Sequence, residues 1–307
     1  MSENWERDTL EKLAFSVLQE QKRARHWGIF FKLLAFIFLF SLLYLAYRGN
    51  SEISPKFSGK HTALIELNGP IAANTPAGAE QINESLDDAF KDKDTKGVIL
   101  QIDSPGGSPV QAGQINDEIT RLRKRYPKIP IYAVVGDMCA SGAYYIAVAT
   151  DKIFVDKASI VGSIGVLMDG FGFTGTMQKL GVERRLLTAG VNKGFLDPFS
   201  PMSDKQKAYA LGMLEDIHKQ FIHAVKVGRG NRLKDAPDLF SGLVWTGEKS
   251  ISMGLADAYG TTDSVARQVI GAEQIVDYSP KENLALRFAK KFGVSMAGVF
   301  MQSMDLR

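Results

Sequence analysis

Cysteine occurs once in the 307 residues, at Cys139, so no internal disulfide can form. One thiol and four scattered histidines supply no zinc framework, no H-E-x-x-H run occurs, and no metal is expected. Charge of either sign is nearly balanced: 37 Lys and Arg face 34 Asp and Glu, a net +3. No basic block is interleaved with aromatics, which sets nucleic acid aside as a partner. The histidines are also poorly placed for nucleophilic catalysis. His26 borders an apolar run, His61 precedes the first expected strand, and His218 and His223 fall within a long helical pattern. A Ser-His-Asp triad is therefore disfavoured. Gly170-Phe171-Gly172-Phe173-Thr174-Gly175 fits G-x-G-x-x-G, but no acidic residue about twenty positions on ends a second strand, so it reads as a turn. No cofactor is expected.

With 45% hydrophobic and 23% charged residues, the chain is long enough for one large domain and appendages. Residues 1–26 are polar and charged, with helical spacing at Leu10, Leu13, Ala14, Val17 and Leu18. They read as a short amphipathic cytoplasmic helix. Residues 27–47, from Trp27 to Tyr47, carry one charge, Lys32. At 1.5 Å per residue this run reaches roughly 31 Å, the thickness of a bilayer's hydrocarbon core. Lys22, Arg23 and Arg25 precede the run and Arg48 alone follows it closely, which places the N-terminus in the cytoplasm and the bulk of the chain outside. The polar leader is long and no small-x-small cleavage site follows, so an uncleaved single-pass anchor is expected. Residues 48–61 read as a linker, 62–275 as the main domain, and 276–307 as a tail. In that tail Leu284 to Met304 has the composition of an amphipathic helix or of a frayed end.

Within the main domain apolar strands alternate with helical patterns, which predicts an α/β fold with largely parallel pairing. Strands are expected at Ala63–Leu67, Gly97–Ile102, Ile131–Val135, Lys152–Val155, within Ser159–Met168 and at Glu183–Leu187. Helices are expected around Ile82–Phe90, Pro109–Tyr126 and Asp204–Val227. The last carries an apolar stripe, Ala210, Met213, Leu214, Ile217, Phe221 and Val225, suited to core or subunit contact.

Ser141 lies in Met138-Cys139-Ala140-Ser141-Gly142-Ala143-Tyr144-Tyr145, between an apolar strand and a small-residue helix. A serine at such a turn either caps the helix or, with unpaired amides pointing toward it, attacks an acyl carbon. Asp103-Ser104-Pro105-Gly106-Gly107 follows another strand, and two glycines there permit an anion-binding nest. Together with the Gly142 amide it can build an oxyanion hole. A base is still needed. Lys193 sits in an apolar loop, Thr188 to Pro198, and reads either as a solvated loop residue or as that base. A lysine at its ordinary pKa of about 10.4 is neutral in roughly one molecule in 2,500 at pH 7; desolvation worth about 3 pH units makes a large fraction basic, at roughly 4 kcal/mol.

The strand-SPGG turn, MCASGAYYIA, ATDKIF, VGSIGV, the AGVNKG lysine loop and KVGRG, in this order from about Ala63 to Tyr259, resemble the signal peptide peptidase A family of serine peptidases in its short single-domain form. The resemblance implies a ClpP/crotonase-like domain, a Ser/Lys dyad with Ser141 as nucleophile and Lys193 as general base, Ser163 orienting the amine, and Gly107 and Gly142 amides holding the oxyanion. It also implies homo-oligomers in which serine and lysine can come from different subunits. A membrane setting and hydrophobic peptide substrates such as cleaved signal peptides follow from it too. Two rival expectations are a crotonase-type acyl-CoA enzyme, which needs no serine nucleophile, and a non-catalytic membrane scaffold of the same fold.

Overall fold

The computed structural model describes residues 3–49 and 59–280. α1 (Glu3–Gly49) is one continuous helix, where the sequence suggested a short amphipathic helix followed by a separate span. No proline interrupts it, and Gly28 alone is too weak a breaker to end a helix of this length. Its Glu11–Ser41 portion is long and apolar enough to cross a bilayer, and the described side chains on it, Phe30, Phe31, Phe36 and Phe38 among them, are exposed. Most of the linker and residues 281–307, including the Leu284 to Met304 stretch, lie outside the described residues.

The main domain opens with β1 (His61–Asn68), α2 (Ala79–Lys91), β2 (Thr95–Ser104), α3 (Pro109–Arg125), β3 (Ile131–Ala140) and the short α4 (Gly142–Ala147). β4 (Lys152–Val155) and β5 (Ile160–Gly162) come next, then α5 (Thr174–Lys179) and α6 (Asp204–Arg229). The chain finishes with β6 (Val244–Thr246), α7 (Gly247–Ser252), β7 (Ala258–Tyr259), α8 (Thr262–Ser264), a π-helical turn at Val265–Ile270, and β8 (Ile275–Asp277). The strands form one sheet in the order β6-β5-β3-β2-β1-β8, parallel except for β5 against β6. β8 carries the sheet two residues beyond the domain boundary expected at 275.

Burial on both faces explains the continuous apolar runs of β1 to β3. Side chains alternate across the pleat: Val98, Leu100 and Ile102 join the main core, while Ile99 points to a smaller cluster with Val134, Phe154, Val265 and Ala266. α2 buries Ile82, Leu86, Ala89 and Phe90, and α3 buries Ala112, Ile115, Ile119 and Leu122, one stripe each. α3 begins where Ser108 accepts the Gln111 amide and Pro109 occupies the first turn.

β3 is the hinge of the sheet. Its first half, Tyr132–Val134, pairs with β4, and its last three residues, Met138–Ala140, pair with β5. Between them Gly136 and Asp137 leave the ladder, and side chains take over the lost backbone bonds. Ser159 Oγ donates to the Gly136 carbonyl at 2.7 Å, and Asp103 Oδ1 accepts the Met138 amide at 3.1 Å. The fork turns the end of β3 toward β5, and the chemistry-bearing residues collect there. Behind it, buried Arg229 holds Asp257 through two bonds of 2.8 and 2.9 Å. Asp257 Oδ2 also accepts the Ile153 amide, so this pair fastens α6 to the floor of the sheet.

One expectation fails. Residues 183–187 form no strand; they are exposed and no neighbouring strand offers a ladder among the described residues. In α6 the stripe expected for core or subunit contact is buried at Phe221 and Val225 and half-buried at Ala210, Met213, Leu214 and Ile217.

Candidate active site

β3 delivers Ser141 to the top of the sheet, and the register pairs Ala140 with Gly162 immediately beside it. The next residue in each strand, Ser141 and Ser163, has the same φ of 53°, a left-handed value rare outside glycine. Two adjacent parallel strands thus end in two strained serines side by side. Backbone bonds enforce the strain: the Ser141 amide donates to the Gly162 carbonyl at 2.8 Å, and the Ser163 amide donates to the Leu243 carbonyl at 2.8 Å. Gly162 has no room for a side chain, since a Cβ there would lie 3.0 Å from the Trp245 ring.

Ser141 stands at the N-cap position of α4, yet its hydroxyl caps nothing and has no hydrogen-bond partner among the described residues. The capping alternative is thereby removed. What α4 does is anchor the turn. Gly142, Ala143, Tyr144, Ile146 and Ala147 are buried, Tyr144 donates to the Leu255 carbonyl at 2.8 Å, and Asn116 of α3 donates to the Tyr145 carbonyl at 2.7 Å. Burial pushes both the Tyr144 hydroxyl and the Cys139 thiol up, so Cys139 is a core side chain and no nucleophile.

The glycine turn after β2 lies directly on this elbow. A Cβ built on Gly106 would fall 2.6 Å from the Gly142 nitrogen and 2.8 Å from Ser141 Cβ, and one built on Gly142 would fall 3.3 Å from the Gly107 nitrogen. Only glycine permits that approach. Gly107, at φ 152°, would in turn drive a Cβ into the Ile71 carbonyl. The N–H groups of Gly107 and Gly142 have no acceptor among the described residues. Two free amides beside a free hydroxyl are the parts needed to hold an oxyanion.

Of the expected site residues, the fold therefore brings together Ser141, Gly142, Gly107 and Ser163. It does not bring Lys193 to them. Lys193 is exposed, in a turn closed by its own amide to the Gly190 carbonyl at 3.1 Å, and has no ion pair among the described residues. The segment around it contributes no core residue between Gly165 and Phe221. Neither His61 nor His218 serves Ser141. His61 faces Gly59, Tyr278 and Thr95, and His218 is bound to the Ile164 carbonyl at 3.1 Å. Because a carbonyl only accepts, His218 carries its proton on Nε2. Sequence reasoning missed Ile71 and Leu243, which act through backbone groups and have no residue-type signature. No cluster able to hold a metal occurs among the described residues.

Residues 123–275 match the model of Peptidase family S49. A Brucella abortus protein named Na(+)/H(+) antiporter NhaA is 46% identical over 188 residues, 61% of this chain and 25% of that protein. A "putative protease" of Methanocaldococcus jannaschii is 33% identical over 206 residues, covering 66% of this chain and 65% of that one. A protein of Enterococcus faecium named "Putative signal peptide peptidase SppA" is 28% identical over 242 residues, 75% of this chain and 70% of that one. The chain thus spans only a quarter of the Brucella protein's length, and about two thirds of the other two. Residues 123–275 are thus similar to peptidase family S49, the family the motifs resemble, and the strands form the largely parallel α/β sheet expected.

Proposed function

We propose that this protein is a membrane-anchored serine endopeptidase with a Ser/Lys dyad. The observation that carries the reading is a strained serine with an unengaged hydroxyl, packed against two unengaged glycine amides, while His61 and His218 are committed elsewhere. Ser141 Oγ attacks the peptide carbonyl, the carbonyl electron pair moves onto oxygen, and the Gly107 and Gly142 amides bind that oxyanion. Lys193 takes the hydroxyl proton and passes it to the departing amine, leaving an acyl-enzyme that water then hydrolyses. Ser163, beside Ser141 in the neighbouring strand, orients the amine.

An ammonium in water is a poor base, so this chemistry requires the Lys193 amine to lose its water. The residues around it supply a reason for that to happen. Leu167, Phe171, Leu180, Leu187, Val191 and Met202 are 59–98% exposed along the same segment, far more apolar surface than a soluble monomer keeps in contact with water. A second copy of the chain packing on this arm buries both the apolar surface and the lysine, completing the dyad between subunits. The helix α1, with Lys22, Arg23 and Arg25 just before its apolar run 27–47, favours an N-terminus in the cytoplasm and a domain on the outer side of the cytoplasmic membrane. Hydrophobic segments left at that surface, cleaved signal peptides among them, are the substrates the setting favours.

The test is mass spectrometry of hydrophobic peptides incubated with detergent-purified full-length protein and with its Ser141→Ala variant. Internal cleavage by the first and none by the second supports the reading. Equal cleavage by both refutes it. Turnover of a CoA thioester that survives Ser141→Ala would favour an acyl-CoA enzyme instead.

A further inference from the structure

Ser104, the last residue of β2, has no exposure to solvent, yet its hydroxyl is fully used. It donates to the Gly69 carbonyl at 2.6 Å and accepts the Gly106 amide at 3.1 Å. Gly69, in the turn after β1 at φ 79°, returns a bond from its own amide to the Asp103 carbonyl at 2.9 Å. Two residues on, the Ile71 amide donates to the Gly106 carbonyl and the Ile71 carbonyl accepts the Ser108 amide, both at 2.8 Å. Pro105 has no amide hydrogen. Each polar backbone group flanking the Gly107 amide, namely Gly106 N–H, Gly106 C=O and Ser108 N–H, is therefore committed to Ser104 or to Ile71. The Gly107 amide is what remains, and it lies against Gly142.

We infer that Ser104 is a positioning residue for the oxyanion hole: its hydroxyl locks the Gly69 turn to the Gly106 N–H and, together with the Ile71 bond to the Gly106 carbonyl on the next peptide plane, fixes the direction of the Gly107 N–H. This rests on the reading of Ser141 as nucleophile. Removing the hydroxyl leaves a buried donor, the Gly106 amide, and a half-buried acceptor, the Gly69 carbonyl, without partners; it frees the Pro105–Gly106 peptide and leaves the peptide that carries the Gly107 N–H held by the Ile71 bond alone. The nest then loses its aim while the peptide-binding surface stays in place.

A peptide aldehyde and the matching peptide alcohol separate these effects. Ser141 Oγ adds to the aldehyde carbon, its proton is transferred within the site, and the new oxyanion or hydroxyl occupies the hole; the alcohol binds without forming that bond. In Ser104→Ala, measured on the full chain in detergent, aldehyde affinity and kcat are expected to fall together by about 10- to 100-fold, less than deletion of a donor outright. Alcohol affinity and KM should stay within about twofold, a split that a merely loosened core does not produce. Ser104→Thr, which returns the hydroxyl, should recover most of the loss. An unchanged aldehyde-to-alcohol ratio in a cooperatively melting Ser104→Ala protein overturns the inference, as does a loss that Ser104→Thr leaves uncorrected. Should Ser104→Ala fail to melt cooperatively, Ser104→Cys, with similar volume and a weak donor, is read against the same criteria. If the wild-type protein itself binds the aldehyde no more tightly than the alcohol, the nucleophile reading fails, and that result is distinct from any behaviour of Ser104.

Discussion

The ends of β2, β3 and β5 and the arm from Leu167 to Met202 treat their functional residues in opposite ways. At the strand ends, position is over-determined: Ser141 and Ser163 are held by backbone bonds from a neighbouring strand or loop, and Gly107 by the bonds that Gly106 and Ser108 make with Ile71, in conformations that cost energy unless surrounding contacts enforce them. In the arm, Lys193 and Leu187 are exposed, and order comes from local turn bonds and the Arg184–Asp197 pair at 3.4 Å. On the reading proposed above, one chain suffices to build the nucleophile and its oxyanion hole but leaves the base exposed, and enclosure of the lysine is what association would add.

The comparison can be broken most sharply at Ser141. Ser141→Ala is expected to lower peptide turnover by at least about 10³-fold, with helix content and melting temperature close to wild type, read by peptide hydrolysis and circular dichroism. Lys193→Ala should cost a similar factor, about 10³-fold, although an exposed side chain contributes nothing to the fold of the isolated chain. Mixing the two inactive variants sharpens the point. Subunits that exchange should regain part of the activity if the lysine serves a neighbour's serine, and none if it serves its own.

A third substitution addresses the rigid region alone. Arg229→Met removes both bonds of the buried guanidinium to Asp257, leaving the more exposed Arg232 at 3.2 Å as its ion-pair partner, and should destabilise the domain by up to about 3–5 kcal/mol in denaturant unfolding. The same pair sets an acid limit. Burial opposes ionisation of Asp257, but hydrogen bonds from Arg229 and the Ile153 amide, with the charges of Arg229 and Arg232, hold its carboxyl below the ordinary 3.8. Its contribution to stability is therefore complete above that ordinary value and is lost as pH falls through the lower folded one. Unfolding curves of wild type and Asp257→Asn should converge below about pH 4. The smallest effect belongs to the arm. Leu187→Ser with Val191→Ser, at 95% and 98% exposure, should shift the domain's own stability by less than about 0.5 kcal/mol yet weaken self-association in sedimentation.

Much of the rigid half was legible in the sequence. Apolar β-branched runs at β1 to β3 and one-face stripes in α2 and α3 announce a parallel sheet with helices on it, because burial on both faces leaves no polar alternation. Gly106, Gly107 and Gly142 were legible as well, since close backbone approach demands glycine. The fork at Gly136 and Asp137 was not. It depends on Ser159 and Asp103 replacing ladder bonds from distant positions, and no local pattern encodes such a pairing. Residues 183–187 misled for the opposite reason: Leu186 and Leu187 suggest an apolar strand end, but a strand needs a neighbour, and among the described residues none lies beside them.

The most direct test of the central claim is to map the covalent adduct formed by a serine-reactive peptidyl fluorophosphonate on the full-length protein, by intact-mass and peptide mass spectrometry. The account predicts one adduct per chain on Ser141, absent in Ser141→Ala and much slower in Lys193→Ala. Modification at another serine, or peptide hydrolysis that persists in Ser141→Ala, would contradict it.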